Sequence, residues 1–141
     1  MRRRLVAAVA AMAAAALSLA TPTLAQPEAA SAFGVWRNPK DSVRVEIRPC
    51  GDGACGIIVW ANEKAKRNAR ASGTTNLVGT QVFRNLELDD NGVWRGRVYV
   101  PEMRRTFSGT AQQLDEVRLR AKGCLIGGVL CKAQVWVRVP A

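Results

Sequence analysis

Hydrophobic and polar residues alternate along much of the chain. In the segment SVRVEIR, residues 42–48, Val43, Val45 and Ile47 occupy every second position, and charged side chains fill two of the positions between them. The segment EVRLRAK, residues 116–122, repeats the pattern. Because successive side chains of a strand point to opposite faces of a sheet, a period of two predicts strands with one buried face.

Six further segments are rich in β-branched and aromatic residues, which brings the predicted strands to eight. They are FGVW (33–36), GIIVWA (56–61), TQVFRNLEL (80–88), VWRGRVYV (93–100), RRTFSGTAQQ (104–113) and CKAQVWVRV (131–139). Turn residues separate them, and DDNG at 89–92 is a strong hairpin signal. We predict an all-β fold, an eight-stranded antiparallel up-and-down barrel, because closure leaves no exposed strand edge. An open sandwich is the alternative.

One segment between the strands predicts a short basic helix. NEKAKRNARASG, residues 62–73, has Asn62 as a candidate N-cap and a glycine beyond its end. Ala65 and Ala69 are four residues apart and share one face of such a helix. Its remaining faces carry four cationic side chains: Lys64, Lys66, Arg67 and Arg70.

The N-terminal residues predict export. Three arginines at 2–4 precede an apolar stretch over 5–20, and TPTLA then offers small residues for cleavage. The apolar stretch is shorter than the roughly 20 residues of a membrane-spanning helix. We therefore predict a signal peptide over 1–25, a disordered lead over 26–32, a single barrel domain over 33–140, and a periplasmic or secreted location.

Four cysteines form two close pairs, Cys50 with Cys55 and Cys124 with Cys131. In an oxidising compartment they would form disulfides, and sequence alone leaves three pairings open. Each close pair flanks a predicted turn between two strands, and this geometry favours the local bridges. Zinc ligation fits the spacing poorly, and the chain has no histidine to complete a mixed site. We expect no metal and no cofactor.

The lack of histidine also argues against catalysis. It excludes Ser-His-Asp and Cys-His arrangements. Two acidic pairs, Asp89/Asp90 and Asp115/Glu116, fall in predicted turns, where side chains are usually solvated. We therefore expect no enzymatic activity.

The formal net charge of +10 bears on partners. Basic proteins often bind nucleic acid, but an exported protein meets little of it, so we expect no nucleic-acid partner. Anionic envelope components are better candidates, whether lipids or acidic polymers, and a peripheral contact with a membrane is among them. The alternative is that the charge only keeps the protein soluble.

Two motifs at the ends of the predicted domain resemble the lipocalin superfamily. GVW at 34–36 is similar to the G-x-W that opens the first lipocalin strand, and WVR at 136–138 carries an arginine on the last strand. The resemblance implies that Gly34, Trp36 and Arg138 close one end of the barrel. Arg138 and Trp136 would then point inward, and Val135, Val137 and Val139 outward.

A second resemblance covers nearly the whole predicted domain. GVWRNP, VRVEIRPCGDGACGIIVW, NLVG, WRGRVYVP, RTFSG, LRAKGC and CKAQVWVRV occur in this order. They resemble the bacterial secreted family known as domain of unknown function 2147. Many members carry a loop rich in Asp and Asn-Pro after the third strand, where this chain has NEKAKRNARASGTT. The resemblance implies a small lipocalin-like barrel and brings no assigned reaction.

Two functional hypotheses follow. The first is a binding protein that holds a small apolar or amphiphilic molecule, anionic molecules included, inside the barrel. Its candidate lining residues are Trp60, Trp94, Val98, Phe107 and Trp136, and for each tryptophan core packing is the alternative. The second is a non-catalytic envelope adaptor, which would bind an anionic polymer, a membrane or a protein through its basic surface.

Overall fold

The computed structural model describes residues 31–125 and 130–141. The predicted signal peptide and residues 26–30 of the predicted lead lie outside these ranges. Eight strands and one helix occur in the described part of the chain: β1 (Gly34–Arg37), β2 (Val43–Cys50), β3 (Gly53–Ala61), α1 (Glu63–Ala71), β4 (Gln81–Leu88), β5 (Val93–Val100), β6 (Arg105–Gln113), β7 (Arg118–Leu125) and β8 (Leu130–Arg138).

The strands form a closed barrel in sequence order. Each strand pairs antiparallel with the next, and β8 returns to pair antiparallel with β1, where Arg138 lies opposite Trp36. The predicted eight-stranded up-and-down barrel is confirmed, and the fold is not an open sandwich.

The helix forms where the sequence predicts it. The side chain of Asn62 accepts a hydrogen bond from the backbone N–H of Ala65 at 2.8 Å, which satisfies one of the free donors of the first turn. Ala65 and Ala69 are buried and belong to the hydrophobic core. In the described part of the chain, no helix is long and apolar enough to cross a membrane.

The up-and-down order gives the barrel two different ends. One end, here called the closed end, carries the β2–β3, β4–β5 and β6–β7 turns and the segment before β1. The other, the open end, carries the β1–β2 loop, the β3–β4 connection with α1, and the β5–β6 loop. This separation decides where side chains fill the interior and where they do not.

Side chains fill the closed end. Trp36, Ile47, Leu86 and Leu119 are almost fully buried there and come from four different strands. Burial of large apolar side chains from several strands contributes about 1.5–3 kcal/mol for each residue. The segment before β1 joins this core, because Ala32 is buried and its carbonyl accepts a hydrogen bond from the indole N–H of Trp36 at 2.8 Å. The structure therefore places the end of the predicted disordered lead within the folded domain.

Arg138 seals the closed end. Its guanidinium lies 4.2 Å from the ring centroid of Trp36. It also donates hydrogen bonds to the carbonyls of Ser31, Phe33 and Glu116 at 2.7, 2.8 and 2.6 Å. One side chain thus ties together the segment before β1, the β6–β7 turn and β8.

Gly34 makes room for this guanidinium. A Cβ atom at position 34 would lie 2.6 Å from Nη1 of Arg138, and the backbone φ of 125° is one that other residues rarely adopt. Gly34 and Trp36 of the G-x-W motif therefore meet Arg138 of the W-x-R motif at one point of the barrel.

Two disulfides staple neighbouring strands. Cys50 bonds to Cys55 across the β2–β3 hairpin, and Cys124 bonds to Cys131 between β7 and β8. The predicted local pairing is confirmed. Disulfides of this kind are typical of proteins in an oxidising extracellular or periplasmic compartment.

We expect Arg138→Ala to lower the free energy of unfolding by about 2 kcal/mol, because it removes a cation–π contact and three charge-assisted hydrogen bonds. Urea unfolding followed by tryptophan fluorescence measures the change. Arg48→Ala is the matched control, since Arg48 is exposed and its only recorded ion pair among the described residues is a long one of 3.9 Å to Glu46. Equal effects of the two substitutions would show that Arg138 does not hold the closed end.

Candidate functional site

A cavity of about 770 Å³ occupies the open half of the barrel. Its wall includes inward-facing side chains of β2 to β8, and its entrance is bordered by the β1–β2 loop and the β5–β6 loop. Natural ligand pockets of roughly 300–1,000 Å³ hold molecules of drug size. This cavity is the candidate functional site.

Small residues on β7 leave part of the interior unfilled. Ala121 and Gly123 occupy inward positions on this strand, and both line the cavity. A Cβ atom built on Gly123 would meet no atom within 4 Å. Eight strands give an interior that ordinary side chains just fill, so two small residues in succession on one strand leave unfilled volume.

The deep wall of the cavity is apolar and aromatic. Trp136 and Phe83 lie with their ring centroids 6.2 Å apart, and both line the cavity. Trp136 is 9% exposed, so its ring separates the cavity from the filled closed end. The indole N–H of Trp136 is buried and makes no hydrogen bond to any described residue. Val98 and Phe107, paired across β5 and β6, continue the apolar wall.

Polar groups lie nearer the entrance. Lys132 and Gln134 alternate with outward residues on β8 and so share the inward face of Trp136, and both line the cavity. Lys40 in the β1–β2 loop and Glu102 in the β5–β6 loop are exposed at the entrance. The cavity therefore combines an apolar floor with a partly charged mouth.

Exposed apolar side chains surround this mouth. Met103, Leu125 and Leu130 line the cavity, and their exposed fractions are 51%, 36% and 66%. Exposed apolar residues grouped at the rim of a pocket are typical of sites that receive an apolar molecule.

The predicted lining residues divide into two groups. Val98, Phe107 and Trp136 line the cavity. Trp60 does not, because it lies on the outer face of β3, 39% exposed, where the guanidinium of Arg44 stacks 4.5 Å from its ring centroid. Trp94 does not line the cavity either. It lies at the closed end, half-buried, with its ring 5.8 Å from that of Phe33.

Other cavity residues were missed in the sequence. Lys132 and Gln134 share the parity of Trp136 in the segment CKAQVWVRV, so the inward assignment of Trp136 places them in the barrel as well. In the segment RAKG, residues 120–123, the small residues Ala121 and Gly123 alternate with basic ones, and this alternation is the sequence signal for the unfilled volume. The signal can be interpreted only once the inward face of β7 is known.

The fold is that of a lipocalin-like barrel. The solved structure of HP1028 from the human pathogen Helicobacter pylori, described as a protein of the lipocalin family, matches 77% of this chain and 82% of its own. The match has a TM-score of 0.59 and a sequence identity of 12%, so it shows the fold alone.

The family is shown by sequence. The model of the family described as "Uncharacterized protein conserved in bacteria (DUF2147)" matches residues 34–138, and the chain belongs to this family. The matched residues begin at Gly34 and end at Arg138, which meet at the closed end. A comparison with curated proteins finds no match.

Two glycine substitutions test whether the interior of the barrel beside β7 is unfilled. We expect Gly123→Ala to change the free energy of unfolding by less than about 1 kcal/mol, because the new methyl group enters open space. Gly109→Ala should lower it by about 1–3 kcal/mol, because its Cβ would collide with the side chain of Val98 and lie 3.0 Å from the carbonyl of Lys122. Thermal and urea unfolding give both values. Equal losses for the two variants would contradict the cavity.

Proposed function

We propose that this protein binds one small apolar or amphiphilic molecule inside the barrel. The observation that carries the proposal is the 770 Å³ cavity, with its aromatic floor and its apolar rim. A molecule that fills it would leave water for an apolar surface, which is the main favourable term in the binding of such ligands. The lipocalin-like fold supports the same conclusion, because an eight-stranded barrel can hold one small ligand.

The distribution of polar groups gives the ligand an orientation. Its apolar part would pack on Trp136 and Phe83, and its polar part would lie toward the entrance, near Lys132 and Gln134. Three charged side chains line the cavity from β8, the β1–β2 loop and the β5–β6 loop. Two of them are cationic, Lys40 and Lys132, and one is anionic, Glu102. We therefore propose an amphiphile whose head group is anionic.

We propose that the protein binds without catalysis. Glu102 is the single carboxylate among the described residues that line the cavity, and it lies exposed at the entrance. General acid–base catalysis uses titratable groups whose environments separate their pKa values, and a lone solvated carboxylate does not provide them. The two half-cystines of the wall, Cys124 and Cys131, are bonded to each other.

We propose that binding occurs in the periplasm or outside the cell. The two disulfides favour an oxidising compartment, and the sequence of residues 1–25 has the pattern of a signal peptide.

Filling the cavity should abolish binding. We expect Gly123→Phe to weaken the binding of two fluorescent probes, anionic 1-anilinonaphthalene-8-sulfonate and neutral N-phenyl-1-naphthylamine, by at least about tenfold, or 1.4 kcal/mol. Ala133→Phe is the matched control, because Ala133 is exposed and takes the opposite parity on β8 to the cavity-lining residues. Native mass spectrometry of protein purified without detergent should show a non-covalent adduct with the control and not with Gly123→Phe. A folded Gly123→Phe variant that binds both probes as tightly as the natural protein would refute the proposal.

The charge of Lys132 should discriminate between the two probes. We expect Lys132→Gln to weaken binding of the anionic probe by about five- to tenfold and to leave the neutral probe within twofold, because only the sulfonate loses an ionic partner. Fluorescence titration at low and at high salt measures both affinities. An equal change for the two probes would contradict the proposed anionic head group. It would leave the proposal of a ligand in the cavity unchanged.

A further inference from the structure

The outer face of three neighbouring strands, β5, β6 and β7, carries a cluster of basic and hydroxyl side chains. On β5 the outward residues include Arg95 and Arg97, and on β7 they include Arg120 and Lys122. All four are exposed. Between these strands β6 turns short hydroxyl side chains outward, Ser108 and Thr110 among them.

The strand register aligns these groups in rows. Thr110 lies opposite Arg95 on one side and Lys122 on the other, and Ser108 lies opposite Arg97. Neighbouring strands are about 4.8 Å apart, so the backbones of the two basic strands are separated by about 10 Å. Successive outward residues on one strand are about 7 Å apart. Long basic side chains thus form two banks, and short hydroxyl side chains form the floor between them.

A groove of about 350 Å³ lies on this face. Arg95, Ser108, Thr110 and Lys122 line it, together with the backbone of Gly96 and Gly109. The Cys124–Cys131 disulfide also lines the groove and fixes β7 to β8 there. We name this feature the outer basic groove.

Of the two cations that line the groove, Arg95 is paired with a carboxylate of the protein, and Lys122 is in no ion pair with another described residue. Arg95 donates to the Asp89 carboxylate at 2.6 Å, and backbone N–H donors and this guanidinium hold the pKa of Asp89 below its usual range. Glu87 faces Arg95 from β4. Within residues 31–125 and 130–141, no ion pair involves Arg97, Arg120 or Lys122. Arg84, which lies opposite Arg97 and stacks 4.7 Å from the ring of Tyr99, adds a further cation.

We propose that the outer basic groove binds a linear polyanion, one extended chain whose repeating groups are phosphates. Guanidinium and ammonium groups donate charge-assisted hydrogen bonds to phosphate oxygens, and hydroxyl groups on the floor donate further ones. The spacing of about 7 Å along each bank allows successive cations to meet successive anionic groups of an extended chain.

The shape of the groove favours a chain over a membrane surface. Ser108 and Thr110 lie between two rows of longer side chains, where a single chain reaches them and a flat layer of head groups does not. The described residues that line the groove include no aromatic side chain that could insert among lipids.

This site faces away from most of the proposed ligand cavity, and the two share Lys122 and the Cys124–Cys131 disulfide at their border. Side chains alternate between the two faces of each strand, so Val98 and Phe107 contact the interior while Arg97 and Ser108 face outward. A polyanion on the outside therefore leaves the cavity accessible from the open end.

Fluorescence anisotropy with labelled long-chain polyphosphate tests the proposal directly. We expect the natural protein to bind, with an affinity that falls as salt rises. Arg97→Gln/Lys122→Gln should weaken binding at least tenfold. Lys64→Gln/Arg67→Gln, which removes the same charge from the exposed face of α1, should weaken it less than twofold. Ser108→Glu, which adds a carboxylate to the floor, is a second variant and should also weaken binding at least tenfold.

Three outcomes would overturn the proposal. Equal losses for the groove and helix variants, both folded by circular dichroism, would show that net charge alone attracts the polymer. Binding to vesicles that contain phosphatidylglycerol, without binding to polyphosphate, would identify a membrane surface instead. Loss of polyphosphate binding in Gly123→Phe would place the anion in the cavity, whereas retention of binding supports the groove whether or not the cavity holds a ligand.

Discussion

The stacking of Arg138 on Trp36 is the interaction on which the barrel depends. β1 is four residues long, and its pairing with β8 covers only two residue pairs. Backbone hydrogen bonds alone would hold such a short seam weakly. Arg138 extends it, because its guanidinium binds the carbonyls of Ser31 and Phe33 on one side of the seam and that of Glu116 on the other. Gly34 is required at the same point because a Cβ atom would occupy the space of the guanidinium.

A firmly filled closed end allows the other half of the barrel to remain hollow. Trp36, Leu86 and Leu119 bury their side chains almost completely near the seam, and Trp136 forms the boundary with the cavity. Beyond Trp136 the inward residues Ala121 and Gly123 of β7 are small, and the disulfide between Cys124 and Cys131 joins β7 to β8 in the hollow half. The buried side chains that stabilise the barrel therefore lie at one end, and the cavity lies at the other. A ligand site in the open half does not require the removal of core side chains.

The alternation of side chains gives the same strands two chemistries. On the inside, Val98, Phe107 and Trp136 offer apolar surface to a small molecule. On the outside, Arg95, Lys122 and the hydroxyl groups between them form the outer basic groove. The basic residues of the chain are therefore concentrated on the β5–β7 face as well as on the connecting helix. In α1, by contrast, Lys66 is paired with Glu63 at 2.8 Å, and the remaining cations surround two buried alanines.

The sequence by itself determined the eight strands and the helix at Asn62, because these follow from periodicity and capping within short segments. It favoured the closed barrel and the local disulfides, and the structure decided both. It also indicated the meeting of Gly34, Trp36 and Arg138 through its resemblance to lipocalins. The tertiary structure decided which aromatic residues border the cavity. Trp60, Trp94 and Trp136 are the same residue type and each lies in a predicted strand, so the sequence does not distinguish them. In the structure Trp60 lies on the outer face against Arg44, and Trp94 lies in the filled closed end against Phe33. The tertiary structure also decided the cavity and the outer basic groove. Each is formed by residues on separate strands, which come together only through the pairing of those strands.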